Sequence, residues 1–151
     1  MNGNQRKDTF DEKVIEIKRV SRTVKGGKRI SFRALVVAGD RNGRVGVGIG
    51  KGIEVSLAIK KASSYARKRL KQIKINDKGT ILREVTFRYG PAKVLLRPAP
   101  EGTSIIAGGV VRAVSELAGI RNLVTKSFGS DNKINTAMAT LNGLVEAGKN
   151  D

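Results

Sequence analysis

The chain has 151 residues and a net charge of +17, from 30 Lys and Arg against 13 Asp and Glu, and it holds no Cys or His. Without those two side chains there is no structural zinc, disulfide framework, imidazole base or thiolate nucleophile, which excludes most hydrolytic and redox chemistry. A hydrophobic share of 39% supports a folded core, and the positive balance points to a polyanionic partner.

Residues 1–12 are polar and aperiodic and are expected to form a flexible tail. Met1–Lys13 lacks the apolar run of a signal peptide, and stretches such as Ile105–Val111 are too short to span a bilayer. The chain therefore reads as soluble and intracellular. A first domain is expected over residues 13–77. Val14–Thr23 is rich in β-branched residues and reads as a strand, broken by Lys25-Gly26-Gly27-Lys28. Ile30–Ala38 is a second strand, and Gly39-Asp40-Arg41-Asn42-Gly43 is a hairpin turn. In Arg44–Gly50, a third strand, Val45, Val47 and Ile49 share one face and Gly46, Gly48 and Gly50 the other. A face without side chains predicts close approach of another backbone. From Glu54 to Lys74 the period becomes helical, with Val55, Ala58, Ile59, Ala62, Tyr65, Ala66, Leu70 and Ile73 on one stripe. Asn76–Gly79 is a turn.

A second domain is expected over residues 78–151. Ile81–Tyr89 and Lys93–Pro98 read as strands joined at Gly90-Pro91. The bend Pro98–Gly102 leads to a helix with Ile106, Val110, Ala113, Val114 and Leu117 as its stripe and Gly119 as its terminator. Ile120–Phe128 is another strand. Gly129–Asn132 caps a last helix whose stripe is Ile134, Ala137, Met138, Leu141, Leu144 and Val145, with Gly148 at its end. The fold class is α+β, in two small domains: a three-stranded sheet with a helix, then an α/β unit.

Catalytic readings fail on spacing. In the run Gly43–Gly52 the leading Gly of a phosphate loop would fall at Val45, and Gly52 stands where a hydroxyl should hold magnesium. A Gly-x-Gly-x-x-Gly match from Gly46 and Gly48 puts Lys51 at the third glycine. Gly43–Gly46 has the letters of a KH-domain clamp, but it opens a strand instead of joining two helices. Carboxylates are scattered, with no sign of a convergent pair or metal cage. No enzyme and no cofactor are expected. By contrast, Lys18, Arg19, Arg22, Lys25, Lys28, Arg29 and Arg33 crowd one hairpin around a glycine tip, with Ser21 and Thr23 between them and Arg41 and Arg44 on the next turn. Such a cluster can follow a phosphate backbone, and with few aromatics to stack bases, structured RNA is favoured over single strands.

Arg19–Gly27 and Gly39–Gly48 resemble the first domain of the bacterial small-subunit ribosomal protein five family. Glu101–Val114 and Gly129–Asn135 are similar to its second-domain signatures, so the likeness covers residues 12 to 147. The resemblance implies a double-stranded-RNA-binding-like first domain and a second with a left-handed β-α-β connection. It also implies a cytoplasmic structural role in the small ribosomal subunit, on ribosomal RNA where body meets head. Contacts with ribosomal proteins four and eight, a place along the messenger entry path and an effect on decoding accuracy follow as expectations. The candidate RNA contacts are Arg19, Ser21, Arg22, Thr23, Lys25, Gly26, Gly27, Lys28, Arg29, Arg41, Asn42, Arg44, Lys51, Lys126, Asn132 and Asn135. Gly102, Thr103, Ser104 and Arg112 are the candidate interface to protein four.

Ser104 stands where many members have Gly, Lys133 where many have Pro, and the longer C-terminal tail of many members is not matched. Two other classes stay open. A free-standing double-stranded-RNA regulator would share the basic first half but leave Gly102–Arg112 unexplained. A small-molecule kinase of the second domain's fold would need the phosphate loop that is missing.

Overall fold

The computed structural model describes residues 10–129 and 132–149. The tail expected over residues 1–12 lies outside the described residues as far as position 9, and the first strand, β1 (Asp11–Val24), starts within its expected span. β2 (Gly27–Gly39) and β3 (Arg44–Gly52) follow, then α1 (Val55–Lys68) and a two-residue strand, β4 (Lys71–Gln72). These strands form one antiparallel sheet in the order β1-β2-β3-β4.

The glycine face of β3 does what its lack of side chains allows. A Cβ on Gly48 would lie 2.1 Å from the Ala62 carbonyl oxygen, and one on Gly50 would lie 2.4 Å from the Ala62 nitrogen. α1 answers with Ala58, Ala62 and Ala66, all fully buried. The helix therefore sits almost backbone to backbone on the sheet, with Ala34 and Val36 of β2 completing the seam. The opposite face of the same strands carries Leu35, Val37, Val45 and Val47. These do not close a core of their own. They join the second unit's Val114, Leu117, Leu141 and Leu144 in one continuous cluster.

The second sheet has the order β5-β6-β8-β7, from β5 (Val85–Tyr89), β6 (Ala92–Pro98), β7 (Ile105–Ile106) and β8 (Leu123–Phe128). β5, β6 and β8 are antiparallel neighbours, while β7 runs parallel to β8 across α2 (Gly109–Ala118), which makes the β-α-β unit. α3 (Lys133–Ala147) packs on β5 and β6.

Four expectations need correction. The first helix ends at Lys68, where Arg69 leaves helical geometry (φ −119°, ψ 36°). Leu70 and Ile73 mimic the helical stride, but Ile73 N–H donates to Gly43 O at 2.6 Å and its side chain enters the main core. Ile81–Glu84 is a crossing segment ahead of β5, with Ile81 buried. Ile106 belongs to β7 and is 54% exposed, so the second helix starts only at Gly109. The strand expected from Ile120 starts at Leu123, because Arg121 and Asn122 spend their N–H groups on Gly79 O. Gly119 does terminate α2, in the left-handed region at φ 98°, whereas Gly148 ends α3 with an ordinary negative φ.

Candidate RNA interface

β3 pairs with β2 only from Phe32 onward, so Val20–Ser31 projects as a two-stranded ribbon beyond the sheet. The register sets Arg22 opposite Arg29 and Thr23 opposite Lys28, and the chain turns at Lys25-Gly26. Gly26 (φ 98°) and Gly27 (φ 144°) hold a backbone that other residues avoid, and a Cβ on either would meet nothing within 4 Å. The tip is therefore shaped by backbone freedom and stands open.

Alternation divides the cations between the ribbon's faces. Lys18, Arg22, Arg29 and Arg33 share one face with Lys51 of β3, and Lys18, Arg33 and Lys51 stand abreast on three neighbouring strands. Lys18 and Arg33 belong to the basic cluster in the sequence, yet only the register shows that they extend the same cationic face. Arg19, Ser21, Thr23 and Lys28 take the other side. Among the described residues, none of the seven hairpin cations has an ion pair, whereas Arg67, Arg83, Arg97 and Arg112 each meet a glutamate. Like charges directly opposite on a ladder are destabilising, and a ribbon exposed on both faces buries little to offset them. A polyanion laid along this face would relieve that repulsion.

Arg41, Asn42 and Arg44 are not part of this surface. Their turn lies at the other end of β2, about 40 Å from the tip at the usual strand rise, and it joins the two units. Arg41 N–H donates to Leu117 O at 3.0 Å and Gly43 N–H to Ala118 O at 2.8 Å, so the turn satisfies carbonyls at the end of α2. Asp40 organises it. Its Oδ1 accepts from the N–H groups of Asn42 (2.8 Å) and Arg44 (3.0 Å), and its Oδ2 from Arg44 Nε at 2.8 Å. Burial pushes the Asp40 carboxyl up, but the Arg44 guanidinium and the two backbone donors outweigh burial and hold it below the ordinary carboxylate range. Arg41 pairs with Asp11, and Arg44 also lies over the Phe10 ring. Sequence proximity joined this turn to the hairpin; the fold separates them.

The remaining candidates lie on the second unit. Lys126 is exposed on β8, while Asn132 caps α3, accepting from Ile134 N–H at 2.9 Å and Asn135 N–H at 3.2 Å. Gly102, Thr103 and Ser104 form a loop clasped by Asn122, which sequence reasoning missed. Asn122 is buried; its Oδ1 accepts from Gly102 N–H (3.1 Å) and Ser104 N–H (2.9 Å), and its Nδ2 donates to Lys78 O at 2.8 Å. A lone Asn before a strand carries no local signal of partners so far away in sequence. Ser104 holds φ 70°, which is where a glycine would be unstrained. Arg112 lies off the buried side of α2, as its stripe implies, but it is engaged within the chain: Nη2 donates to Ile105 O at 2.8 Å and Nη1 lies 3.6 Å from Glu116.

Among the described residues no His, Cys, Asp or Glu cluster could hold a metal ion, and no helix is long and apolar enough to cross a membrane. The class these features define is a basic α+β protein of two joined units whose most prominent site is a cationic hairpin. Residues 10–74 match the family described as "Ribosomal protein S5, N-terminal domain", and residues 87–149 match "Ribosomal protein S5, C-terminal domain". The chain is 54% identical over 137 residues to the small ribosomal subunit protein uS5 of Thermotoga maritima, covering 91% of this chain and 76% of that one. It is 55% identical over 137 residues to the uS5 protein of Ureaplasma parvum (91% and 68% covered) and 53% over 141 residues to that of Thermosipho africanus (93% and 79%). The chain belongs to the ribosomal protein S5 family, a family of structural, non-enzymatic proteins of the small ribosomal subunit.

Proposed function

We propose that the chain is a structural constituent of the small ribosomal subunit that grips ribosomal RNA with the β1–β2 hairpin. The observation that carries this reading is the row Lys18, Arg22, Arg29, Arg33 and Lys51, which runs along one face of the projecting ribbon and the strands at its base and has no ion pair among the described residues. Cations without internal partners can exchange counterions for phosphates, and the Ser21 and Thr23 hydroxyls add short contacts on the other side. The second unit turns its Gly102–Ser104 loop and Arg112 toward ribosomal protein four. A contact with protein eight, a place along the messenger entry path and a bearing on decoding accuracy complete the reading, and these rest on the family likeness. The domain division at about residue 77 belongs to it as well.

Sedimentation of cell lysate tests the assignment. The chain should travel with small subunits, and Lys25→Glu combined with Arg29→Glu should shift it to the top of the gradient although it still folds. A chain found wholly outside ribosomal particles would instead favour a free-standing double-stranded-RNA regulator.

A further inference from the structure

Both tyrosines of the chain line one cleft between the two units, with a volume of about 620 Å³. Its floor is buried and comes from both sides of the junction, Val47 of β3 and Leu141 of α3. Tyr65 of α1 is 44% exposed and Tyr89 of β5 39% exposed, so two large amphipathic rings flank the opening. Arg69 and Lys71 stand beside them. Among the described residues, no carboxylate lines the cleft and neither cation has an ion pair.

We propose that this cleft docks a protein segment that carries apolar side chains next to a carboxylate. Charge complementarity is the first argument: an apolar floor under two unpaired cations calls for an occupant with an apolar body and negative charge. Composition is the second, since Tyr, Arg and Met are the residues enriched where protein partners anchor, and Met138 can repack around an incoming side chain. A stacked nucleobase fits less well. The Arg69 guanidinium already covers the Tyr65 ring at 5.5 Å, and the aliphatic wall offers nothing to read a base edge. The cleft opens by Tyr89, at the Ala92 end of β6, whereas the Asn122-clasped loop lies beyond its Pro98 end. The two surfaces are distinct, and the proposal rests on the chain's place in the small subunit but not on the loop's partner.

The test is site-specific photo-crosslinking in intact, purified small subunits, with p-benzoylphenylalanine replacing Tyr65 or Tyr89. Sedimentation of the labelled chain before irradiation separates a failure of the ribosomal assignment from a failure of this one. Both positions should cross-link to the same protein segment, one with Asp or Glu beside apolar residues. Adding Arg69→Gln with Lys71→Gln should cut the yield at least tenfold in subunits that still contain the chain. A cross-link to RNA, no cross-link from either position, or a yield indifferent to the two cations would each overturn the proposal.

Discussion

At the scale of single residues, the joint turn and the clasped loop give the sharpest expectations. Asp40 anchors three donors, so Asp40→Asn should lower stability by about 1–2 kcal/mol near neutral pH. The folded carboxyl titrates below its unfolded value, so this stabilisation is complete above the ordinary carboxylate range and is lost as pH falls from about 4. Thermal melts of the two proteins should therefore differ at pH 7 and converge in acid. Ser104 is strained at φ 70° and lends its N–H, not its hydroxyl, to Asn122. Ser104→Gly should raise stability by up to about 1 kcal/mol, through relief of left-handed strain less the added chain entropy of glycine. A fall in denaturation midpoint would contradict that account. For Arg112→Leu, the contacts to Ile105 O and Glu116 are partly exposed and should cost little folding stability. Its expected effect is more stop-codon read-through in cells that depend on the variant; unchanged fidelity with normal subunit assembly would leave Arg112 as a purely internal tie.

Between elements, the packing of β3 on α1 was open to sequence reading, because strict alternation of Val and Gly can only mean one bulky and one bare face. The outcome is severe crowding at Gly48, where a Cβ would lie 2.1 Å from a backbone oxygen that cannot move alone. Gly48→Val should destabilise by at least about 1–3 kcal/mol, and a melt of purified protein decides it: an unchanged midpoint would mean the helix does not press on that face. The end of α1 was not open in the same way. Leu70 and Ile73 continue a helical stride by coincidence, since Ile73 is buried by tertiary packing and by a hydrogen bond to the β2–β3 turn. β7 was missed for a related reason: a two-residue strand has no periodicity, and it exists only through pairing with β8. Local pattern finds elements that bury a face of their own; short bridging strands are defined by their partners.

For the whole molecule, the two units share one apolar cluster, and the β2–β3 turn is threaded against the end of α2 so closely that a Cβ on Gly119 would lie 2.3 Å from Arg41 O. The chain should therefore melt in one calorimetric transition, and Gly119→Ala, strained both by φ 98° and by this contact, should lower or split it. The same joint shows why the candidate site was only half legible. The hairpin cations cluster in sequence and in space, while Arg41 and Arg44 follow them in sequence but sit at the far end of β2. The central claim, that the unpaired face of the ribbon holds RNA phosphates, is tested most directly by the salt dependence of binding to small-subunit ribosomal RNA. Replacing Lys18, Arg22 and Arg29 together by Gln should flatten the slope of log affinity against log salt by about 2–3, near one unit per lost phosphate contact, whereas Arg97→Gln, which removes an already paired cation, should leave it unchanged. A folded triple variant with the wild-type slope would contradict the account.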